Sequence, residues 1–502
     1  MSRNLIICSL PFNKCPKRGK AAVLKSKVFT AALWADCWDK VRREVDGCDQ
    51  GTAIFDEDNG IELDIPFGEI LKDRRVLILG GDDLPEELDW LYGFSQDGYW
   101  IALKDVTSSG TSRSFPGGVH QTLGATRLLY SKGEFDPTKK VTGAVFEIGG
   151  LAEWLGSSPV IMENYFDGGF RGFSLKADLN NVENELLFED DAYKIAVAHG
   201  VNTSGSPEAG YEVGHRCFLQ IDFKKPKTLG DAERVALHAT EFFSFCFGFH
   251  AELVNMEFKF ENGAKAHCLM GLVKGKVPSR MDASHMVLPY RKIRNDISHV
   301  FGAWMDGGRE LRTSVSLLVS LMTKDWFLPF DLKFIAAAQM LESLSRVGVS
   351  LESMTDEDYA ACKKELDTAI DGIEDRHIAK MLKQRVRLGN NKGQRRLLDE
   401  FVARHREVAC FFFGAPDDFI RSHVDLRNGI THREGTPPSS VENLYWHTEA
   451  VLLFAYCAVG EVLGLTAETM KRCIEDSGYR NMSVWKCRKM YPVRVDEPNA
   501  PN

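Results

Sequence analysis

The chain has 502 residues, of which 44% are hydrophobic and 26% charged, with a formal net charge of -9. This is the balance of a globular protein of two or three domains, not of a disordered or fibrous chain. The negative total argues against a surface coated for nonspecific nucleic-acid binding, although it is compatible with a local basic groove. The longest apolar run, VLLFAYCAVG from Val451, stops at Glu461, well short of the roughly 20 residues a membrane span needs. LIICSL near the start is too short for a signal-peptide core. Twelve cysteines are scattered without a C-x-x-C or a paired Cys/His spacing, so no zinc site, other metal or disulfide framework is expected. No cofactor and no membrane are expected, and a reducing cytoplasm is the expected location.

To about residue 225 the pattern is strand with turn punctuation. In GTAIFDEDNGIELDIPFG, Ile61, Leu63, Ile65 and Phe67 alternate with Glu62, Asp64 and Pro66, one face of a half-buried strand entered through an Asn59-Gly60 turn. The same pattern recurs in RRVLILGG, in LYGFSQDGYWIALKDV around Asp97-Gly98, and in ATRLLYS, VTGAVFEIGG and RCFLQIDF, which predicts an antiparallel sheet or barrel. TSSGTSRSFPGGVHQT from Thr107 and SGSPEAG from Ser204 read as solvated loops, since neither carries a phosphate-binding glycine pattern.

Past Lys227 the period lengthens. Thr228 and Asp231 form a capping box before the amphipathic run DAERVALHATEFFSFCFGF. Residues 286–312 predict a connecting helix ended by Gly307-Gly308. From Phe327 on the chain reads as helix: FLPFDLKFIAAAQMLESLSR, with Phe334, Ile335, Ala338, Leu341 and Leu344 or Ser345 at helical spacing, then an acidic helix, a basic helix, a turn at Gly389-Asn390-Asn391 and the long helix RRLLDEFVARHREVACFFF. VENLYWHTEAVLLFAYCAVGEVLG closes the series. Residues 376–406 concentrate Lys and Arg, among them Lys383, Arg385, Arg387, Lys392, Arg395 and Arg396. These either bind RNA phosphates or pair with the acidic helix between Glu352 and Asp375.

Three R-x4-H spacings occur: RMDASH (Arg280, His285), RNDISH (Arg294, His299) and RNGITH (Arg427, His432). A permanently charged guanidinium and an imidazole that titrates near neutrality are the two groups needed to cut RNA without a metal. Arg427 would hold the phosphate, His432 would move the proton, and Asn428 would orient the phosphate or ribose. Residues five apart in an ideal helix point about 140° from each other, so the motif is expected at a helix start or turn where Gly429 releases the backbone. RNDISH has Asp296 in place of that glycine and is expected on a solvated or interdomain helix face. Glu342, a carboxylate among apolar residues, either orients Arg427 or serves the bundle. The run from Tyr445 to Leu465 carries more apolar surface than a lone bundle needs, which points to a homodimer through the helical domain.

RNGITH, with Asn428 directly after the arginine, resembles the R-x4-H motif of HEPN-domain ribonucleases. LAEWLG from Leu151, the strand ending in Lys225-Pro226, the aromatic FFSFCFGF, and Phe334, Gln339 and Leu341-Glu342 resemble the ApeA family of anti-phage HEPN proteins. The resemblance implies an α+β chain: a strand-rich sensor or regulatory domain over residues 1–320, an all-α HEPN bundle over 321–480, and a tail over 481–502. It also implies a defence endoribonuclease that damages host or phage RNA, tRNA among the candidates, once a phage-derived trigger is sensed, with two motifs facing each other across a dimer. The rival expectation is a catalytically silent HEPN module used for dimerisation or nucleic-acid binding.

Overall fold

The computed structural model describes residues 26–43, 48–56, 58–71, 85–114, 118–166, 170–206, 210–270, 286–323, 328–387, 389–432, 440–478 and 480–492. RRVLILGG and RMDASH fall wholly or largely outside them. The chain divides into two units, residues 1–244, 250–283 and 289–301 in the first, and 245–249, 284–288 and 302–502 in the second.

The first unit contains β1 (Ser26–Ala35), α1 (Trp38–Arg43), β2 (Asp49–Asp56), β3 (Gly60–Ile65), β4 (Glu87–Phe94), β5 (Trp100–Ser114), β6 (Gly118–Ala125), β7 (Arg127–Ser131) and β8 (Val141–Ile148). It continues with α2 (Leu151–Leu155), β9 (Val160–Phe166), β10 (Phe170–Ala177), β11 (Glu185–Glu189), β12 (Tyr193–Ser206), β13 (Gly210–Lys227), most of α3 (Leu229–Phe247), β14 (Leu253–Phe260), β15 (Lys265–Met270) and α4 (Tyr290–Ile293). β6 pairs with both β3 and β5, which closes β1–β6 into a barrel, and the sheet runs on from β5 through β7, β15, β14, β8, β13 and β12 to β11. Every pairing is antiparallel. Closure removes the open edges that a six-stranded sheet would expose to aggregation.

Alternation produces the barrel core. Ile61, Leu63 and Ile65 of β3 are buried together with Phe29, Trp34, Leu91, Ile101 and Leu103 from neighbouring strands. A Cβ at Gly93 would lie 2.6 Å from the Trp34 ring, so the indole lies against bare backbone. Phe67 departs from the predicted alternation: β3 ends at Ile65 and the ring is 76% exposed. Both predicted loops are also corrected. β5 runs to Ser114 and β6 resumes at Gly118, while β12 runs to Ser206 and β13 resumes at Gly210. Polar Ser and Thr residues sit in these strands because ladder partners across each hairpin take up their backbone groups. The Thr228–Asp231 capping box is present, with Asp231 N donating to Thr228 Oγ1 at 3.1 Å.

The second unit is helical: α5 (Ile297–Asp306) enters it at Gly302, followed by α6 (Arg309–Met322), α7 (Phe330–Ser345), α8 (Asp356–Asp371), α9 (Arg376–Arg387), α10 (Gln394–Arg404), α11 (Arg406–Phe412), α12 (Pro416–His432), α13 (Val441–Val462), α14 (Ala467–Asp476) and α15 (Asn481–Met490). Two expectations about single helices are corrected. The connecting stretch breaks after Ile293 into α4 and α5, and the long helix from Arg395 breaks at His405, whose φ of -107° and ψ of 37° leave the helical region. α13 is the axis of the unit. Every residue from His447 to Gly460 is buried, against α6, α7, α11, α14 and α15. Its apolar surplus is therefore consumed inside one chain and supplies no argument for a dimer.

Candidate active site at the end of α12

RNGITH is the last turn and a half of α12. Leu426 and Ile430, one turn apart, pack on the cluster of Phe334 and Ala338 from α7 and Leu444 from α13, which fixes the rotation of the helix and leaves Arg427 and Asn428 half-buried beside that contact. Pro416 starts the helix where its missing N–H costs nothing, and Asp417 and Asp418 lie in the first turn, favourable to the dipole. The expectation of a helix start or turn is corrected: the motif is helical to His432, and Gly429 keeps a helical backbone. Apolar anchoring at Leu426 and Ile430 outweighs the roughly 1 kcal/mol a glycine costs there.

A helix C-terminus carries the negative end of the backbone dipole, the wrong sign for a phosphate, so Arg427 must supply the attraction. Its Nη1 donates to Asn428 Oδ1 at 3.3 Å, which couples the two side chains without using up the guanidinium fork. Arg427 and His432 lie about 7.5 Å apart along the axis and about 140° around it by helix geometry. One regular helix therefore does not aim both positions at a single atom.

Behind Arg427, one turn back, His423 is buried with its Nδ1 3.2 Å from His447 Nε2, and His447 Nδ1 bonds the Tyr491 hydroxyl. Phe334 and Phe419 lie against both imidazoles. Burial, then the Arg427 charge, pushes the His423 pKa down to about 4, and burial, then His423, holds His447 well below its ordinary value. Both rings are thus neutral at pH 7 and act as hydrogen-bonding core residues. With the phenol as donor, one chain of hydrogen bonds runs Tyr491 to His447 to His423. Three polar residues lock α12, α13 and the segment after α15 together beneath the motif.

The structure does not bring Glu342 to Arg427. α7 turns Phe334, Ala338 and Leu341 inward, and Glu342 pairs with Arg346 at 2.5 Å on the rim of a cavity of about 690 Å³ lined also by Gln339, Ser343 and Leu351. The basic residues divide. Lys383 pairs with Asp371 of α8 at 2.5 Å, Lys392 and Arg396 pair with Glu400, and Arg395 acts electrostatically on Asp399, whose carboxyl pKa is raised by burial, a shift the arginine only partly offsets. Arg385 and Arg387 are exposed and form no ion pair among the described residues. α9 buries no residue at all. Arg376, Lys380, Lys383 and Arg387 fall at i, i+4, i+7 and i+11 along a hollow of about 590 Å³.

RNDISH lies in the first unit, with Arg294, Asn295 and Asp296 in the turn after α4 and Ile297, Ser298 and His299 opening α5. Arg294 is 63% exposed and pairs with Glu185 Oε1 at 3.3 Å, and His299 is exposed on α5. This is the solvated face expected of it.

A strand barrel with an extended sheet, followed by a helical bundle whose penultimate long helix ends in R-x4-H, defines a two-part HEPN protein. Family comparison agrees: residues 50–304 match ApeA N-terminal domain 1 and residues 335–469 match the Apea-like HEPN domain. The chain belongs to the ApeA family, and by that membership it is an anti-phage HEPN protein. RNGITH falls inside the HEPN match, RNDISH inside the N-terminal one. No curated protein and no solved structure matches the chain. Among the described residues no helix is long and apolar enough to cross a membrane.

Proposed function

We propose that the chain is a defence endoribonuclease that cuts RNA, without a metal at the cutting site, through Arg427, Asn428 and His432. The observation that carries this reading is the half-exposed Arg427 at the end of α12, held by Leu426 and Ile430 and lying within the HEPN-matching span. Arg427 neutralises a non-bridging phosphate oxygen. Imidazole at His432 takes the proton of the ribose 2′-hydroxyl as it attacks phosphorus, or returns one to the departing 5′-oxygen. The P–O5′ bond breaks as the P–O2′ bond forms, giving a 2′,3′-cyclic phosphate and a 5′-hydroxyl. DNA, which lacks the 2′-hydroxyl, is not cut.

Because the two positions diverge by about 140° on α12, one site draws on two copies of the chain, and a homodimer through the second unit is part of the proposal. Phe330 and Leu332 at the start of α7 and Val441 at the start of α13 are exposed and apolar, and Phe330 meets Tyr445 edge-on, a patch suited to that contact. The first unit serves as sensor of a phage-derived trigger, and the cytoplasm is the site of action. The same divergence also favours a second reading, a catalytically silent module for dimerisation or nucleic-acid binding. Sequencing of RNA ends after induced expression of the wild type and of His432→Ala separates the two. New ends present only with the wild type support cleavage, and identical ends in both support the silent module.

A further inference from the structure

In the first unit the β12–β13 hairpin gathers three donor atoms that nothing in the proposed chemistry uses. His199 stands directly opposite Cys217 in the ladder, and His215 stands opposite Val201, so His215 and Cys217 share one face of β13 and His199 joins them from β12. His199 Nδ1 is 3.0 Å from His215 Nε2, Cys217 Sγ is 3.3 Å from His215 Nε2, and Sγ is 3.7 Å from His199 Nδ1. The three atoms make a closed triangle, with the two rings nearly parallel at 9°.

Hydrogen bonds satisfy such a triangle poorly. Each ring nitrogen offers one proton or one lone pair, in the ring plane, yet here each nitrogen has two neighbours. A cation at the centre uses one lone pair from each. Zinc bonds of about 2.0–2.1 Å to nitrogen and about 2.3 Å to sulfur at tetrahedral angles put ligand atoms about 3.3 Å (N···N) and about 3.6 Å (N···S) apart, within about 0.3 Å of all three separations found. We propose that His199, His215 and Cys217 bind one Zn2+ and leave a fourth coordination position for water or an incoming ligand.

The surroundings suit that occupant. Val197, Leu219 and Ile221 continue the same strand faces as buried apolar residues, so Cys217 is buried at the end of an apolar face while the two imidazoles are half-exposed and open to an incoming ion. Burial keeps both imidazoles neutral, with lone pairs available. The same burial pushes the Cys217 thiol up to about 12 when no cation is bound, and a cation reverses that sign by binding the thiolate. Glu153 acts electrostatically on Cys217 and Glu185 on His199, and both carboxylates favour a net positive centre. The metal ties β12 and β13 together midway along their hairpin.

The test uses the full chain, purified without chelator and with any affinity tag removed. Mass spectrometry should find close to one zinc per chain after dialysis against zinc and then buffer. Replacement by Co2+ should give a thiolate-to-cobalt charge-transfer absorption, which Cys217→Ser removes. His199→Ala and His215→Ala should each bring zinc to a small fraction of one equivalent, and chelator should speed amide exchange in β12 and β13 of the wild type but not of Cys217→Ser. Substoichiometric zinc in the wild type overturns the proposal. So does a cobalt protein without the thiolate band, a wild-type measurement that no folding defect of a variant can confound. RNA cleavage is not a readout here, so failure of the ribonuclease reading leaves this test intact.

Discussion

Arg427-Asn428 and Arg294-Asn295 begin motifs of the same length, and the chain treats them in opposite ways. The first lies on one helix whose apolar side chains are clamped by α7 and α13. The second is cut by a helix break, its arginine tied to Glu185 and its histidine in solvent. A motif gains its geometry from the packing of its neighbours: Leu426 and Ile430 hold the first on one regular helix, whereas the buried Ile293 and Ile297 flank a turn in the second. The spacing is identical in both, so spacing alone carries little information.

The comparison breaks most clearly at the proposed cleavage step. Arg427→Ala and His432→Ala should each lower RNA cleavage by roughly 10²- to 10⁴-fold while the melting temperature moves little. A gel assay showing the same rate in either folded variant would exclude the assigned site. Removing the clamp is the next largest effect. Phe334→Ala deletes a wholly buried ring and should cost about 3–5 kcal/mol by denaturant titration, with loss of cleavage in proportion to unfolding.

The histidine pair beneath Arg427 predicts a pH signature. His423 is lowered to about 4 in the folded chain from about 6.5 unfolded, so the unfolded state binds more protons between those values. Stability is full above pH 6.5 and falls as pH drops towards 4, by on the order of 3 kcal/mol at most. Melting curves across that window should be flatter for His423→Asn than for the wild type after correction for their offset at pH 7. Equal slopes would mean that the imidazole is not held neutral.

Smaller effects follow at the surface. Arg385→Ala with Arg387→Ala should weaken RNA binding several-fold and reduce the slope of log affinity against log salt by about 0.7 for each phosphate no longer neutralised. An unchanged slope would return α9 to the role of partner for α8. Smallest of all, Arg294→Ala with His299→Ala should leave cleavage within about a factor of two and stability within about 0.5 kcal/mol, since the Arg294–Glu185 pair is exposed.

Much of the fold was legible in the amino-acid pattern. Period-two alternation predicted β3, β4, β5, β7, β8 and β13, the Thr228–Asp231 pair predicted the start of α3, and helical spacing placed Phe334, Ala338 and Leu341 on the buried face of α7. These signals are local, because an apolar face or a cap is written within a few residues. Where the reading failed, the pairing or packing partner decided. Ser- and Thr-rich stretches became strands because a neighbouring strand lay alongside, and α13 spent its apolar surface on helices from both sides of it in the chain.

By itself the sequence determined the α+β class, the order of strands before helices and the family resemblance, all of which rest on patterns within short windows. Tertiary structure alone decided that six strands close on themselves, that Glu342 faces Arg346 and not Arg427, and that α12 stays regular through Gly429. It also decided that His199 meets His215 and Cys217, sixteen and eighteen residues away. The physical reason is the same in each case. Hairpin register and helix rotation are set by the sum of many burial terms across the fold, and no short spacing in the chain encodes that sum.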